Sequence, residues 1–223
     1  MKTNFRTYLA LIFSCLFLTS CFEILEEVTL NENGSGEFEF TANLSQSKTK
    51  LKSIMLMEKV NGYKVPSQKE VKDEIDKICA LAKNTKGITG VKKSIDFENF
   101  IFSFSCKFDS VETLNKVVKN IRLSKKVNNS NHDNQYSYNR QTKTFQRNFN
   151  NSLKAEFSKL KAEDKKVVKD ANYIAIYRFK KEVKSVSNSK TKTSPNKKAT
   201  MLKVKIVDVI NKKSSIKNTV KLK

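Results

Sequence analysis

The sequence of 223 residues predicts an α+β fold, in which helices pack on one face of an antiparallel sheet. Two kinds of pattern support this class. Short runs of alternating apolar and polar residues, bounded by turn residues, predict strands. Between them, apolar residues recur every three or four positions, which predicts amphipathic helices. The order of these patterns over residues 24–122 is ββααββα, and a basic, β-rich half follows over residues 135–223.

The first predicted element is a β-hairpin. Its first strand is the apolar run from Ile24 to Leu30, and its second strand alternates Phe38, Phe40 and Ala42 with polar residues. The segment 31–36 between them is rich in Asn and Gly, as tight turns are.

Two helices are predicted next, joined by a loop that contains Gly62 and Pro66. The apolar stripe of the first consists of Leu44, Leu51, Ile54 and Met55, and that of the second consists of Val71, Ile75, Ile78, Leu81 and Ala82. The Met-rich run 54–57 is typical of a helix face in the core, and it also suits the lining of a pocket for an apolar ligand.

A second hairpin and a third helix complete this unit. The hairpin turns at Glu98-Asn99, and its return strand carries apolar residues on one face: Phe100, Phe102, Phe104, Cys106 and Phe108. Asp109 or Ser110 is suited to cap the helix. The apolar stripe of that helix consists of Val111, Leu114, Val117, Val118 and Ile121.

The second half is thinner in apolar residues. Residues 123–134 are almost wholly polar and predict a linker or a long loop. The elements predicted beyond them are a hairpin around Asn139-Arg140, a helix over 153–168, a strand carrying Tyr173, Ala175, Tyr177 and Phe179, a polar loop over 185–198, a strand carrying Leu202, Val204 and Ile206, and a last strand within 214–223. These strands either extend the first sheet or form a separate domain over 135–223, and we favour the single sheet.

The first 20 residues have the organisation of a secretory signal. Lys2 and Arg6 precede an apolar stretch that is shorter than the roughly 20 residues of a membrane span. The signal ends in Leu-Thr-Ser-Cys at 18–21, the pattern of a bacterial lipobox, whose cysteine is lipidated and becomes the first mature residue. The alternative is an N-terminal transmembrane anchor with an incidental cysteine. We expect lipidation of Cys21 and a location in the cell envelope. An aspartate directly after the cysteine would retain the protein at the inner membrane. The residue at that position is Phe22, which favours the outer membrane, and the sequence leaves open which leaflet the protein occupies.

Two cysteines remain beyond the signal and the lipobox, Cys79 and Cys106. Disulfides persist in exported proteins, and one that closes this loop would contribute about 3.5 kcal/mol to stability. Cysteine is also among the most buried residue types. The sequence therefore leaves open a disulfide or two buried free thiols.

The charge is divided unevenly along the chain. Residues 21–120 hold 15 basic and 15 acidic side chains, whereas residues 121–223 hold 27 basic and 7 acidic ones. This excess predicts a surface for an anionic partner, such as an anionic lipid or another envelope polymer. The candidate contacts are two doublets: Lys165, Lys166, Lys180 and Lys181. Nucleic acid is not favoured, because the sequence carries no signature of nucleic-acid binding. The alternative interpretation is that a Lys- and Asn-rich composition places lysine wherever a surface tolerates it.

The sequence shows no pattern of catalysis or of metal binding. His132, the single histidine, lies in the polar linker, where little would fix its position for a catalytic triad. Cys79 and Cys106 lack the paired spacing of a zinc site. We therefore expect a non-enzymatic protein without a cofactor, of a binding or structural type.

The lipobox, the Asn-Gly-Ser-Gly turn, the Phe-alternating strand and the segment Tyr173–Val186 together resemble uncharacterised exported lipoproteins of Bacteroidetes-type bacteria. The arrangement is also distantly similar to LppM-type lipoprotein domains, and this similarity implies a link to envelope lipids or glycolipids. The resemblance transfers no functional residue. Beside a third, enzymatic candidate, two functions stay open: contact with an anionic envelope component through the basic half, and carriage of a lipid or another amphiphile in a cleft between helices and sheet.

Overall fold

The computed structural model describes residues 22–124, 134–149 and 153–223 of the chain. The predicted signal segment and Cys21 lie outside these ranges, as do His132 and the centre of the predicted linker.

The elements of the first half are β1 (Glu23–Leu30), β2 (Gly36–Asn43), α1 (Lys48–Ile54), β3 (Lys59–Val60), β4 (Tyr63–Lys64), α2 (Gln68–Lys83), β5 (Ile88–Asp96), β6 (Ile101–Phe108) and α3 (Val111–Ser124). Those of the second half are β7 (Tyr136–Asn139), β8 (Thr144–Arg147), α4 (Lys154–Lys159), α5 (Ala162–Lys169), β9 (Asn172–Phe179), β10 (Val183–Val186), β11 (Thr191–Thr193), β12 (Ala199–Lys205), α6 (Ile206–Ile210) and β13 (Asn218–Leu222). The α+β class is confirmed, and so is the order ββααββα, with the short hairpin of β3 and β4 added between the first two helices.

β1 lies near the middle of a seven-stranded sheet with the order β11-β12-β9-β1-β2-β6-β5. All neighbouring strands are antiparallel except β1 and β9, which are parallel. We call the end of this sheet at which β1 begins the proximal end, and the opposite end the distal end. The residues that end or begin the neighbouring strands at the proximal end are Asn43, Asp96, Ile101, Asn172 and Lys205. Three strands of the second half thus lie in one sheet with the strands of the first half.

The two faces of this sheet differ in polarity. Buried side chains form the core face: Val28, Leu30, Phe38, Phe104, Phe108, Ala175, Tyr177, Leu202 and Val204. Exposed or half-buried polar side chains, such as Glu27, Glu37, Lys107 and Arg178, lie on the opposite face, which we call the open face. Such alternation is typical of a sheet that is packed on one side only.

A second, four-stranded sheet and two helices cover the core face. The second sheet has the order β10-β13-β8-β7 and is antiparallel throughout. Phe145 of β8 lies between the two sheets, with ring centroids 5.0 Å from Tyr177 and 5.7 Å from Phe179. Helices α2 and α3 cover the β5–β6 side and bury side chains such as Leu114 and Val117 in the same core. Helices on one face of the sheet are therefore confirmed.

Helix α2 begins at the proximal end with a capping box. Ser67 Oγ accepts a hydrogen bond from the Glu70 N–H at 3.2 Å, and the Glu70 carboxylate accepts one from the Ser67 N–H at 2.7 Å. Lys72 Nζ lies 5.9 Å from the ring centroid of Phe97, in the turn between β5 and β6. The helix then runs antiparallel to β5 toward the distal end.

The prediction that Phe100 belongs to the return strand is wrong. Phe100 is the last residue of the turn and has a φ of 55°, in the left-handed region. Asp96 Oδ1 accepts hydrogen bonds from the N–H groups of Glu98 and Asn99 at 2.8 and 2.9 Å, which closes the turn one residue later than predicted. The Phe100 carbonyl then accepts the Leu44 N–H at 2.9 Å.

The predicted helix over 153–168 is divided at Leu160, whose backbone is extended. The next residue, Lys161, reaches back to the β3–β4 hairpin, where its Nζ donates to the carbonyl of Asn61. A long-range contact at this point accompanies the break in an otherwise helical pattern.

Two predictions near the C-terminal end are also wrong. Ile206 begins a helix and does not continue β12; α6 buries Val209 and Ile210, and this packing overrides the strand preference of β-branched residues. The predicted polar loop over 185–198 contains the end of β10 and the whole of β11, which pair with β13 and β12. Backbone pairing forms these strands although few apolar side chains mark them.

Phe145→Ala is expected to lower the free energy of unfolding by about 3–5 kcal/mol, the usual cost of removing a buried phenylalanine ring. Phe145 has no exposed surface and contacts residues of both sheets. Urea unfolding followed by circular dichroism measures the change, and Leu123→Ala, at a residue 48% exposed, is the control with an expected change of about 0.5 kcal/mol. Two separate unfolding transitions, with only one of them shifted by Phe145→Ala, would contradict a shared core.

Candidate functional site

A buried ion pair joins the two sheets. Arg147 of β8 donates from Nε to Glu26 Oε1 at 2.9 Å and from Nη2 to Glu26 Oε2 at 3.0 Å. The hydroxyl of Tyr177 donates to the same Oε1 at 2.9 Å, and Arg147 Nη1 donates to the carbonyl of Asn148 at 2.7 Å. The side chains of Arg147 and Glu26 are only 6% and 5% exposed, so the two charges meet away from water.

The two charges keep each other ionised. Burial by itself raises the pKa of Glu26, but the charge of Arg147 and the hydrogen bonds to the carboxylate outweigh it and hold this pKa below its ordinary value. Burial likewise disfavours the charge of Arg147, and the charge of Glu26 outweighs it and raises the pKa of the guanidinium. Burial, together with the charge of Glu26, raises the pKa of Tyr136, Tyr173 and Tyr177, so these phenols stay protonated. A sealed carboxylate that is already paired has no access to a substrate, so we assign this cluster a structural role.

Three further acidic residues of β1 and its turn pair with cations of the second half. The pairs are Glu23–Lys203 at 2.8 Å, Glu32–Lys181 at 3.0 Å and Glu27–Arg178. They are partly exposed, and each therefore contributes about 0–1 kcal/mol. Part of the basic excess of the second half is thus used to hold the acidic first strand.

Cys79 on α2 and Cys106 on β6 are both buried and both free. Burial raises the pKa of both thiols, that of Cys106 to about 11, which disfavours the reactive thiolate. Of the two alternatives that the sequence leaves open, the structure has two buried thiols.

The four candidate lysines do not form one surface. Lys165 and Lys166 lie on α5, which leads into β9 at the proximal end, whereas Lys180 and Lys181 follow β9 at the distal end. The eight residues of β9 separate the two doublets by about 26 Å. Lys181 is paired with Glu32 as well. Any contact of these lysines with anions therefore involves two separate places.

A cleft of about 490 Å³ lies on the open face of the seven-stranded sheet. Its charged lining includes Glu27, Glu37, Glu39, Lys107 and Arg178. Arg178 pairs with Glu27, and Lys107 pairs with Glu37 at 3.3 Å. Glu37 and Glu39 are exposed and Glu27 is half-buried, so the cleft lacks the desolvated carboxyl group on which acid–base catalysis commonly relies.

A second cleft, of about 420 Å³, lies between the β10–β11 loop and the segment that joins α6 to β13. We call it the serine–lysine cleft. Its lining residues are Ser187, Asn188, Ser189, Lys190, Lys213, Ser214, Ser215 and Lys217. Hydroxyl, amide and ammonium groups are all hydrogen-bond donors, and no acidic side chain is among the lining residues. This chemistry suits an anion with several oxygens, such as a phosphate.

Two asparagines hold the walls of the serine–lysine cleft together. Asn188 Nδ2 donates to the carbonyls of Ser215 and Lys217 at 2.8 and 3.0 Å. Asn218 is buried; its Oδ1 accepts the Asn188 N–H at 3.2 Å, and its Nδ2 donates to Thr191 Oγ1 at 3.1 Å. Both walls are therefore fixed to the edge where the two sheets meet.

The lysines of this cleft differ in their contacts. Lys190 Nζ donates to Ser214 Oγ across the cleft. Lys213 and Lys217 are exposed, and among the described residues none pairs with either ammonium group. Two cations are thus free to meet a ligand.

Sequence reasoning did not find this cleft. The segments Ser-Asn-Ser-Lys at 187–190 and Lys-Lys-Ser-Ser at 212–215 share a composition that signals a donor-rich surface. Only the pairing of β10 with β13 brings them together, and no periodicity within either segment indicates that pairing.

No protein-family model matches the chain, and no curated protein matches it. Among solved structures, the chain is similar to the NMR structure of the folded domain of LppM from Mycobacterium tuberculosis, with a TM-score of 0.42 and 11% identity over 91% of this chain and 89% of that chain. A likeness of this degree carries no inference about function.

Glu26→Gln is expected to lower the free energy of unfolding by about 3–5 kcal/mol at neutral pH, because it leaves Arg147 buried without its counter-charge. Combining it with Arg147→Met removes that unpaired charge and should restore part of the loss in urea unfolding. A double variant no more stable than Glu26→Gln alone would contradict this cause.

The ion pair of Glu26 and Arg147 should also make the free energy of unfolding depend on pH. The pKa of Glu26 is lower in the folded chain than in the unfolded one, so its contribution is present above about pH 4.3 and is lost as the pH falls through the folded value. The difference in stability between the wild type and Glu26→Gln should therefore narrow on acidification.

Proposed function

We propose that this protein is a non-enzymatic lipoprotein of the bacterial cell envelope that binds an anionic, oxygen-rich group through its basic second half. The observation that carries the proposal is the serine–lysine cleft, in which donors from two loops converge and no acid lines the walls. The ligand class is a phosphate-bearing lipid headgroup or envelope polymer.

The lipobox at 18–21 supports the lipid anchor. Phe22 follows Cys21 directly, and its carbonyl accepts the N–H of Asn172 at 3.0 Å, so the folded sheet begins one residue after the anchor. Two or three acyl chains would hold the proximal end at a bilayer, since each buried methylene contributes about 0.8 kcal/mol. None of the helices within residues 22–124, 134–149 and 153–223 has the length and apolarity of a membrane span. The outer membrane is favoured by Phe22, and the leaflet stays open.

The charge of the second half supports the choice of an anionic partner. Residues 121–223 carry 27 basic and 7 acidic side chains, and a field of this sign attracts anions from solution. Because the cleft lysines are exposed, their contribution should weaken as salt screens it.

The other two candidates have less support. A carrier needs room between helices and sheet, but Phe104, Phe108, Leu114 and Val117 are 0–7% exposed there and form a solid core. For an enzyme, Glu26 is sealed, and the accessible carboxylates of Glu27 and Glu37 on the open face already pair with cations.

Cys21→Ser is expected to abolish incorporation of labelled palmitate, because the thiol that would carry the lipid is lost. The matched control is Cys15→Ser, which changes a cysteine of the signal segment and should retain the label. A parent chain that stays in washed membranes without taking up label would indicate a transmembrane anchor instead.

Replacing Lys190, Lys213 and Lys217 by Gln is expected to weaken binding of short-chain inorganic polyphosphate about a hundredfold, since each lysine near an anionic surface contributes about 1 kcal/mol. Titration calorimetry at low and at physiological salt measures this. The matched control replaces Lys184, Lys197 and Lys221, which removes the same charge from other exposed positions of the second half. Equal weakening by both triple variants would show that net charge, not the cleft, binds the anion.

A further inference from the structure

A short apolar segment projects from the surface beyond α1. We call residues 55–57, Met-Leu-Met, the apolar tip. Leu56 is 90% exposed and Met57 is 53% exposed. The interpretation of the run 54–57 as a core helix face is therefore wrong for these two residues, because α1 ends at Ile54 and both side chains face solvent.

The apolar tip lies at the proximal end of the molecule. The segment that carries it leaves the sheet at Asn43, the partner of Glu23 at the start of β1. It returns at Ser67, where α2 begins; Met57 and Ser67 line the same surface depression. Phe22, the residue after Cys21, is tied to the start of β9 at this same end.

Lysines surround the apolar tip. Residues 44–66 contain five lysines and one glutamate. Lys50, Lys52 and Lys59 are exposed, and no residue in the described part of the chain pairs with them. An apolar projection with exposed cations close to it in sequence has the chemistry that an anionic membrane interface accepts: apolar side chains reach the acyl region while ammonium groups stay among the headgroups.

A contact with the second half holds this segment in place. Lys161 Nζ donates to the carbonyl of Asn61 and lies 5.0 Å from the ring centroid of Tyr63. The β3–β4 hairpin next to the apolar tip is thus braced against the region that leads into α5 and β9.

We infer that the apolar tip, with Lys50, Lys52 and Lys59, is a second membrane contact, which seats the proximal end on an anionic bilayer. The inference rests on the proposed lipid anchor only for the choice of bilayer: Cys21 places the proximal end at a membrane, and charge complementarity selects its anionic lipids. A lipid on Cys21 would hold the chain at one point, whereas the tip adds a second point and fixes the orientation of the sheet.

The chain contains no tryptophan, so a single introduced tryptophan reports on one position. The lipid-anchored Leu56→Trp variant on vesicles of phosphatidylcholine and phosphatidylglycerol is expected to show blue-shifted emission and quenching by brominated lipids. Met201→Trp, at an exposed methionine on the open face, is the matched control and should show the emission of a water-exposed indole. Unshifted emission from Leu56→Trp on a chain that is anchored overturns the inference and leaves the lipoprotein proposal intact.

A second experiment measures vesicle binding by the chain without its lipid anchor. The chain of residues 22–223, purified without the signal segment and Cys21, should sediment with vesicles that contain phosphatidylglycerol and not with phosphatidylcholine alone. Replacing Lys50, Lys52 and Lys59 by Gln should weaken this about a hundredfold, since each lysine near an anionic surface contributes a factor of about five. The distal triple variant of Lys184, Lys197 and Lys221 is the control. Sedimentation that both triple variants lose equally, or that the parent chain without its lipid never shows, overturns the inference.

Discussion

The ion pair of Glu26 and Arg147 is the constraint on which the packing of the two sheets depends. A buried charge is tolerated only opposite a partner of fitting geometry, so β8 must lie over β1 in one register, with the Tyr177 hydroxyl at the same carboxylate oxygen. The apolar side chains around the ion pair, Phe145 above all, would pack about equally well in several neighbouring registers of β8 over β1. The polar pair therefore selects one arrangement, and the aromatic contacts stabilise it.

The uneven charge of the sequence has two roles in the folded chain. Near β1 the basic excess is internal, because cations of the second half neutralise the acids of the first strand and its turn, Glu23, Glu26, Glu27 and Glu32. In the serine–lysine cleft, Lys213 and Lys217 have no acidic partner among the described residues. The contrast in charge between the halves thus describes both an internal interface and an exposed basic surface.

Much of the fold could be predicted because a strand with one buried face has alternating apolar and polar residues in its sequence. The row from Phe102 to Phe108 shows this, and so does the β7–β8 hairpin. The same alternation also indicates the buried pair: Glu26 shares its face with Val28 and Leu30, and Arg147 shares its face with Phe145, so both charges point into the core. No local pattern indicates which strands pair, and hence neither the parallel β1–β9 contact nor the meeting of the two cleft loops could be predicted.

The parallel pairing of β1 with β9 has a consequence for biogenesis. Glu26 and Tyr177 are 151 positions apart, so β9 is synthesised long after β1, the strand with which it pairs. Until β9 is present, one edge of β1 stays unpaired. Contacts between distant segments form slowly, and an unpaired edge invites aggregation in the meantime.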